Sequence, residues 1–155
     1  MSEKIIEQTK SQHPEILEIV GVEESENLVF GLTEKDEGKK STVVAYKVKN
    51  GKAEFLNSVT AYWKDDYATL NITEYGSTKT VKTDFHKSLS NEASPQASAC
   101  ENAINILCGF GGVAACQTAC RAIPVIGIIL GFTICRNLCA SIVGDGCDAA
   151  KNRFC

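Results

Sequence analysis

Cysteine is absent from the first 99 residues of this chain and arginine from the first 120. The missing cysteine confines any covalent bracing to the last 56 residues and divides the chain into two unlike parts. The missing arginine, with 12 Lys set against 16 Asp and Glu over residues 1–99, leaves no dense basic face of the kind that phosphate contacts require. Nucleic acid is therefore excluded as a partner. Histidine is almost missing as well: His13 and His86 are the only two, both in polar sequence that suits a solvated side chain better than a general base. No G-x-S-x-G, Walker loop, H-E-x-x-H or dinucleotide fingerprint occurs, and Gly109, Gly111 and Gly112 of CGFGGVAAC sit in too apolar a context for a phosphate loop. No catalytic residue and no cofactor is expected, so the chain reads as a non-enzyme.

Long hydrophobic runs are lacking too. The longest, from Ala122 to Ile134, has 13 residues with Thr133 as its one polar side chain. As a helix it would span about 20 Å, against roughly 30 Å for a bilayer core, so it is not a conventional transmembrane segment. Residues 1–30 hold neither an apolar stretch of secretory-signal length nor a twin arginine.

What is present is concentrated at the C-terminal end. Cys100, Cys108, Cys116, Cys120, Cys135, Cys139, Cys147 and Cys155 follow the spacing C-x7-C-x7-C-x3-C-x14-C-x3-C-x7-C-x7-C, which is the same in both directions. Such a palindrome is expected of a segment that folds back on itself near Gly127 and Ile128. Eight cysteines in so short and apolar a segment are the usage of a small secreted scaffold held by disulfides, since a unit of this size buries too little surface to fold comfortably without staples.

Two cysteines at i and i+4 lie on one face of a helix with parallel Cβ vectors, so they bond to a facing helix more readily than to each other. If the two C-x3-C pairs face one another in an antiparallel hairpin, the bonds are Cys116 to Cys139 and Cys120 to Cys135. The outer cysteines then nest as Cys108 to Cys147 and Cys100 to Cys155. This is one of 105 connectivities. A structural zinc site on the four inner cysteines is the competing reading, although it leaves four cysteines unused and this part of the chain has no His to share the site.

Over residues 1–88 the pattern is that of an α+β domain. Ile5, Ile6, Ile16, Leu17, Ile19 and Val20 have loosely helical spacing, divided by Pro14 into two short pieces. From Asn27 the sequence turns to strands at 28–32, 42–48, 53–60, 68–75 and 78–85, rich in Val, Thr, Tyr and Phe. Asn50-Gly51 is a strong hairpin signal, and Tyr75-Gly76-Ser77 marks a further turn. The acidic groups Glu23, Glu24, Glu26 and Asp65, Asp66 read as solvated turns. Asn71-Ile72-Thr73 fits a glycosylation sequon, a pattern that many strands meet by chance. Residues 89–99 form a Ser, Ala and Pro linker, a natural processing region in which Ala97-Ser98-Ala99 has the small-x-small form read by signal peptidase.

Residues 100–155 are expected to form an all-α, disulfide-stapled hairpin or bundle. Ile123, Val125, Ile126, Ile128, Ile129, Leu130 and Phe132 form either its core or, as the sharper reading, apolar surface offered to a membrane. Arg121 and Arg136 bracket that run. They are placed to meet anionic head groups, to cap helix carbonyls or to remain solvated.

The apolar centre Ala122-Ile-Pro-Val-Ile-Gly, the flanking cysteines, Gly146-Cys147-Asp148-Ala149-Ala150-Lys151 and the terminal Asn152-Arg-Phe-Cys155 resemble the halocin-type cysteine-rich bacteriocins. The resemblance covers about a third of the chain. It implies an antimicrobial precursor cut before its cysteine-rich part, a secreted peptide acting on the target cell membrane, and an N-terminal half that serves as leader or self-immunity domain. It also implies contact between the two halves, in cis or in trans, and a precursor that begins in the cytoplasm. From a different class, the chain reads as an intracellular metal-binding or protein-interaction module built on the cysteine-rich part.

Overall fold

Turn residues that tolerate a left-handed backbone set the strand boundaries. The computed structural model describes residues 2–36, 39–86, 101, 104–109, 113–122 and 135–155. Strands β3 (Lys40–Lys49) and β4 (Lys52–Lys64) are joined by Asn50 and Gly51 with φ of 52° and 78°. Positive φ at both central positions is what a type I′ hairpin demands, and it matches the twist of the flanking strands. Asp65 and Asp66 (φ 52° and 68°) connect β4 to β5 (Tyr67–Glu74), and Tyr75 and Gly76 (φ 52° and 80°) connect β5 to β6 (Ser77–His86).

Helix α1 (Ser2–Gln12) ends just before His13-Pro14, as expected of the first of the two helical pieces. The second piece is a correction: residues Glu18–Glu23 are strand β1, paired antiparallel to β2 (Leu28–Asp36) from Glu18 opposite Leu32 to Glu23 opposite Leu28. Ile19, Val20 and Val22 are β-branched and favour the pleated backbone, and β2 supplies the partner that local spacing cannot reveal. A single 3₁₀ turn at Glu24–Glu26, closed by Asn27 at φ 57°, links the two strands.

All six strands form one antiparallel meander in chain order. Register shifts between Ile19 and Gly21, Leu32 and Glu34, and Ala45 and Tyr46 mark bulges, which bend a strand and increase its twist. On one face, Leu28, Phe30, Val43, Ala45, Val59, Ala61, Ala68 and Leu70 join a core that continues into Ile104, Leu107, Cys116, Ala119, Cys120, Leu138, Cys139 and Ile142. The core therefore runs without a break from the cysteine-free part into the cysteine-rich part. On the other face α1 packs near the Asn50-Gly51 turn. Gln12 Nε2 donates to the Gly51 carbonyl, the Ala53 N–H donates to Gln12 Oε1 (2.7 Å each), and the His13 ring stacks on Tyr46 at 4.2 Å. Burial, together with the Glu15 carboxylate beside it, holds the Tyr46 phenol well above its ordinary range, so it stays a neutral donor.

Among the described residues three helices follow: α2 (Val113–Ala122), α3 (Cys135–Asp145) and α4 (Cys147–Phe154), preceded by a helical turn over 104–108. Helix α2 lies across β2, β3 and β4 and packs on α3, which in turn packs on α4. The class is α+β, with the antiparallel sheet first and the stapled helices after it. Among the described residues no helix is long and apolar enough to cross a membrane.

Candidate functional site

The site is built around α2, the helix shared by both halves. Every residue from Cys116 to Ala122 is buried. One side of the helix is covalently tied to α3 by Cys116–Cys139 and Cys120–Cys135, with Cα separations of 5.8 and 5.9 Å. The order of these bonds makes α2 and α3 antiparallel, the arrangement expected from the two facing C-x3-C pairs. A third bond, Cys108–Cys147, ties the 104–108 turn to α4. Cys155 is disulfide-bonded too; its expected partner, Cys100, lies outside the described residues. The four inner sulfurs sit in S–S bonds and so have no thiolate to offer zinc.

The other side of α2 carries Gln117, Thr118 and Arg121, three polar side chains in a helix that is buried all round. A long polar side chain in such a place must find its partners inside the protein. Arg121 is 5% exposed and its guanidinium reaches the sheet. Nη2 lies 3.6 Å from Glu23 Oε1 at the end of β1, and the guanidinium carbon stands 4.0 Å over the centre of the Phe30 ring on β2. Nη1 donates to Gln117, to its carbonyl at 3.3 Å and to its Oε1 at 3.1 Å, while the buried Nε has no hydrogen-bond partner. Burial pushes the guanidinium down to about 10, with the Glu23 carboxylate opposing the fall, so it remains charged at neutral pH.

Glu23 corrects the expectation of a solvated turn: it is 5% exposed, whereas its neighbours Glu24 and Glu26 do face solvent. Its second oxygen lies 3.2 Å from Nε of Arg136 on α3, so one carboxylate holds both arginines that bracket the apolar run. Arg136 is itself mostly exposed and also reaches Ser25 Oγ at 3.5 Å. The backbone closes the site on its fourth side, where the Ser41 hydroxyl donates to the Ala122 carbonyl at the last residue of α2. That carbonyl is one of the helix-end acceptors left without an intrahelical donor.

Gly21 makes the close approach possible. A Cβ built there would stand 2.2 Å from Arg121 Nε and 2.9 Å from its Cζ. Gly21→Ala is accordingly expected to drive Arg121 out of its seat and to destabilise the oxidised chain by about 1–3 kcal/mol, the usual range for overpacking. Urea unfolding without reductant checks this; an unchanged midpoint would show that the guanidinium can shift at no cost.

Of the residues singled out from the sequence, Cys116, Cys120, Cys135, Cys139, Arg121 and Arg136 come together around α2, Cys108 and Cys147 join the 104–108 turn to α4, and Cys100 lies outside the described residues. Ala97, Ser98 and Ala99, and Ile123, Val125, Ile126, Ile128, Ile129, Leu130 and Phe132, lie outside the described residues. His13 and His86 each contact a tyrosine, Tyr46 and Tyr67 respectively. Asn71 of the sequon accepts from Thr80 at 2.9 Å across β5 and β6. Sequence reasoning missed Glu23, Phe30, Gly21 and Ser41. The available signal was Gly21, a glycine set inside a β-branched run.

The chain matches no protein-family model, and no characterised protein or solved structure is detectably similar to it.

Proposed function

We propose that this chain is a bacteriocin-like precursor. Residues 100–155 are released as a disulfide-stapled peptide that perturbs the membrane of a target cell, and the N-terminal half escorts that peptide or protects its producer. The observation that carries this reading is the position of α2, cross-linked to α3 on one side and covered by the sheet on the other. Cutting the chain between the halves would leave the staples intact. The contact with the sheet combines that continuous apolar core with buried polar groups: Gln117, Thr118 and Arg121 on α2 and Glu23 and Ser41 on the sheet are all buried in the protein. Arg121 Nε has no hydrogen-bond partner among the described residues, and such a group costs about 1–3 kcal/mol that water would return on separation. An interface of this kind suits a partner that is held and then let go.

The test is the intact mass, without reductant, of the product in cells and in medium from an expressing host. A secreted fragment beginning near Cys100 and eight hydrogens lighter than its reduced formula, two for each pair among eight cysteines, is the expected result. A full-length intracellular chain with free thiols would overturn it.

Membrane action has its own check. Ile128→Lys places a charge in the apolar run, and a charge at hydrocarbon depth costs enough to cut dye release from liposomes roughly tenfold or more. Equal release by wild type and variant would remove the membrane from the proposal.

A further inference from the structure

The N-terminal half contains a built seat for a guanidinium, and its occupant is known. Glu23 supplies the charge, Phe30 the aromatic face, Gly21 the space, and Ser41 a donor for the carbonyl one residue beyond the arginine. All four stand on neighbouring strands β1, β2 and β3, so the sheet fixes their spacing. The four groups read two features together, an arginine side chain and the open end of the helix that bears it.

We infer that this seat is the recognition site by which the N-terminal half holds the cysteine-rich peptide after the chain has been cut, with Arg121 as the anchor and the Ala122 carbonyl as the second point. The inference rests on the proposal that residues 100–155 are released. The chemistry is specific to arginine. A lysine ammonium is a point charge and cannot lie flat on the Phe30 ring while reaching Glu23 and Gln117 at once. The seat also grips the peptide where the apolar run begins, at Arg121 and Ala122. Glu23 pairs with both Arg121 and Arg136 while the peptide is bound, and separation exposes Arg121 and deprives both of their counter-ion.

The experiment uses the full chain, with a specific protease sequence substituted into residues 89–96 and cut after folding and oxidation. Dissociation of the two fragments on dilution is followed by native mass spectrometry. Wild-type fragments are expected to stay paired one to one. Glu23→Gln should speed dissociation at least roughly tenfold, because it leaves the anchor charge buried without its partner. Arg121→Lys should speed it several-fold. Arg121→Met alone should also speed it, and Glu23→Gln combined with Arg121→Met should dissociate more slowly than the product of those two single effects predicts, the mark of a direct pair.

Mapping of the three described disulfides in the uncut chain shows that each variant has folded. Should Glu23→Gln fail that check, Arg121→Lys, which keeps the charge, carries the test alone. Fragments that separate at once in the wild type, or single effects that simply multiply, or dissociation of Arg121→Lys at the wild-type rate, would overturn the seat. Adding vesicles of phosphatidylethanolamine and phosphatidylglycerol to the same samples separates this inference from the one beneath it. Glu23-dependent release without vesicle leakage sinks the membrane-active peptide and leaves the seat standing; leakage that is indifferent to Glu23 and Arg121 sinks the seat alone.

Discussion

Glu23→Ala is expected to lower the unfolding free energy of the uncut, oxidised chain by about 3–5 kcal/mol, a large part of the 5–15 kcal/mol that a protein of this kind possesses. The carboxylate is buried against Arg121, itself buried, and removing it does not let the guanidinium return to water. Arg121 would retain Gln117 and the Phe30 ring, which are neutral partners, while its Nε already lacks one. Arg136 contributes little to the loss, since its side chain is 60% exposed and solvent replaces the carboxylate there. Removing both charges with Glu23→Ala and Arg121→Met should therefore recover much of the stability, because an apolar pair carries no desolvation penalty. Urea unfolding at neutral pH without reductant measures both variants. A loss below about 1 kcal/mol for Glu23→Ala would mean that water reaches the pair and that it behaves as a surface ion pair.

That the largest expected effect falls on Glu23 shows where sequence reading stops. Local chemistry was legible: Asn50-Gly51 and Tyr75-Gly76 announced their hairpins through residues that accept positive φ, and the strands between them followed from β-branched and aromatic runs. The cysteine palindrome was legible for a related reason. Symmetric spacing carries long-range information, and facing C-x3-C pairs on antiparallel helices leave few sterically sound pairings; the bonds at Cys116–Cys139, Cys120–Cys135 and Cys108–Cys147 follow that nest.

Glu23 had no such signature. It stands in an acidic group with Glu24 and Glu26, and nothing local distinguishes the one that turns inward. Its partner lies in the other half of the chain, and pairing at that distance is set by the packing of α2 on the sheet. Strand β1 was missed for a similar reason. Ile16, Leu17, Ile19 and Val20 fit a helical stripe as well as a strand, and the deciding partner, β2, is a separate segment. Arg121 was singled out as a flank of the apolar run, expected at head groups, at helix carbonyls or in solvent; the buried carboxylate and aromatic face that it meets were not among these, because they required the fold to be known.

Replacing the innermost disulfide, Cys120→Ser together with Cys135→Ser, should have a large effect that depends on whether the peptide is attached to the sheet. The bond closes a separation of 15 residues, which in the chain-entropy account is worth about 3 kcal/mol. In the uncut chain α2 keeps the sheet on its other side, with the Glu23 pair and the Ser41 hydrogen bond still made, so the structure should survive with a lower urea midpoint. In the cut and separated peptide the sheet is gone, and 56 residues cannot bury enough surface to replace it. There the same 3 kcal/mol becomes roughly a hundredfold rise in the open population on which proteases act. The two measurements are the half-life of the uncut chain and that of the isolated peptide in one protease solution, each with and without the bond. A far larger fall in the isolated peptide than in the uncut chain is expected, accompanied by loss of liposome leakage. Equal falls would show that the sheet lends α2 no support, and an undiminished half-life in the peptide would show that the remaining bridges alone hold the hairpin. Under the proposed release, the nested bonds would answer to the state in which the peptide has left its cover, and the buried ion pair to the state in which it has not.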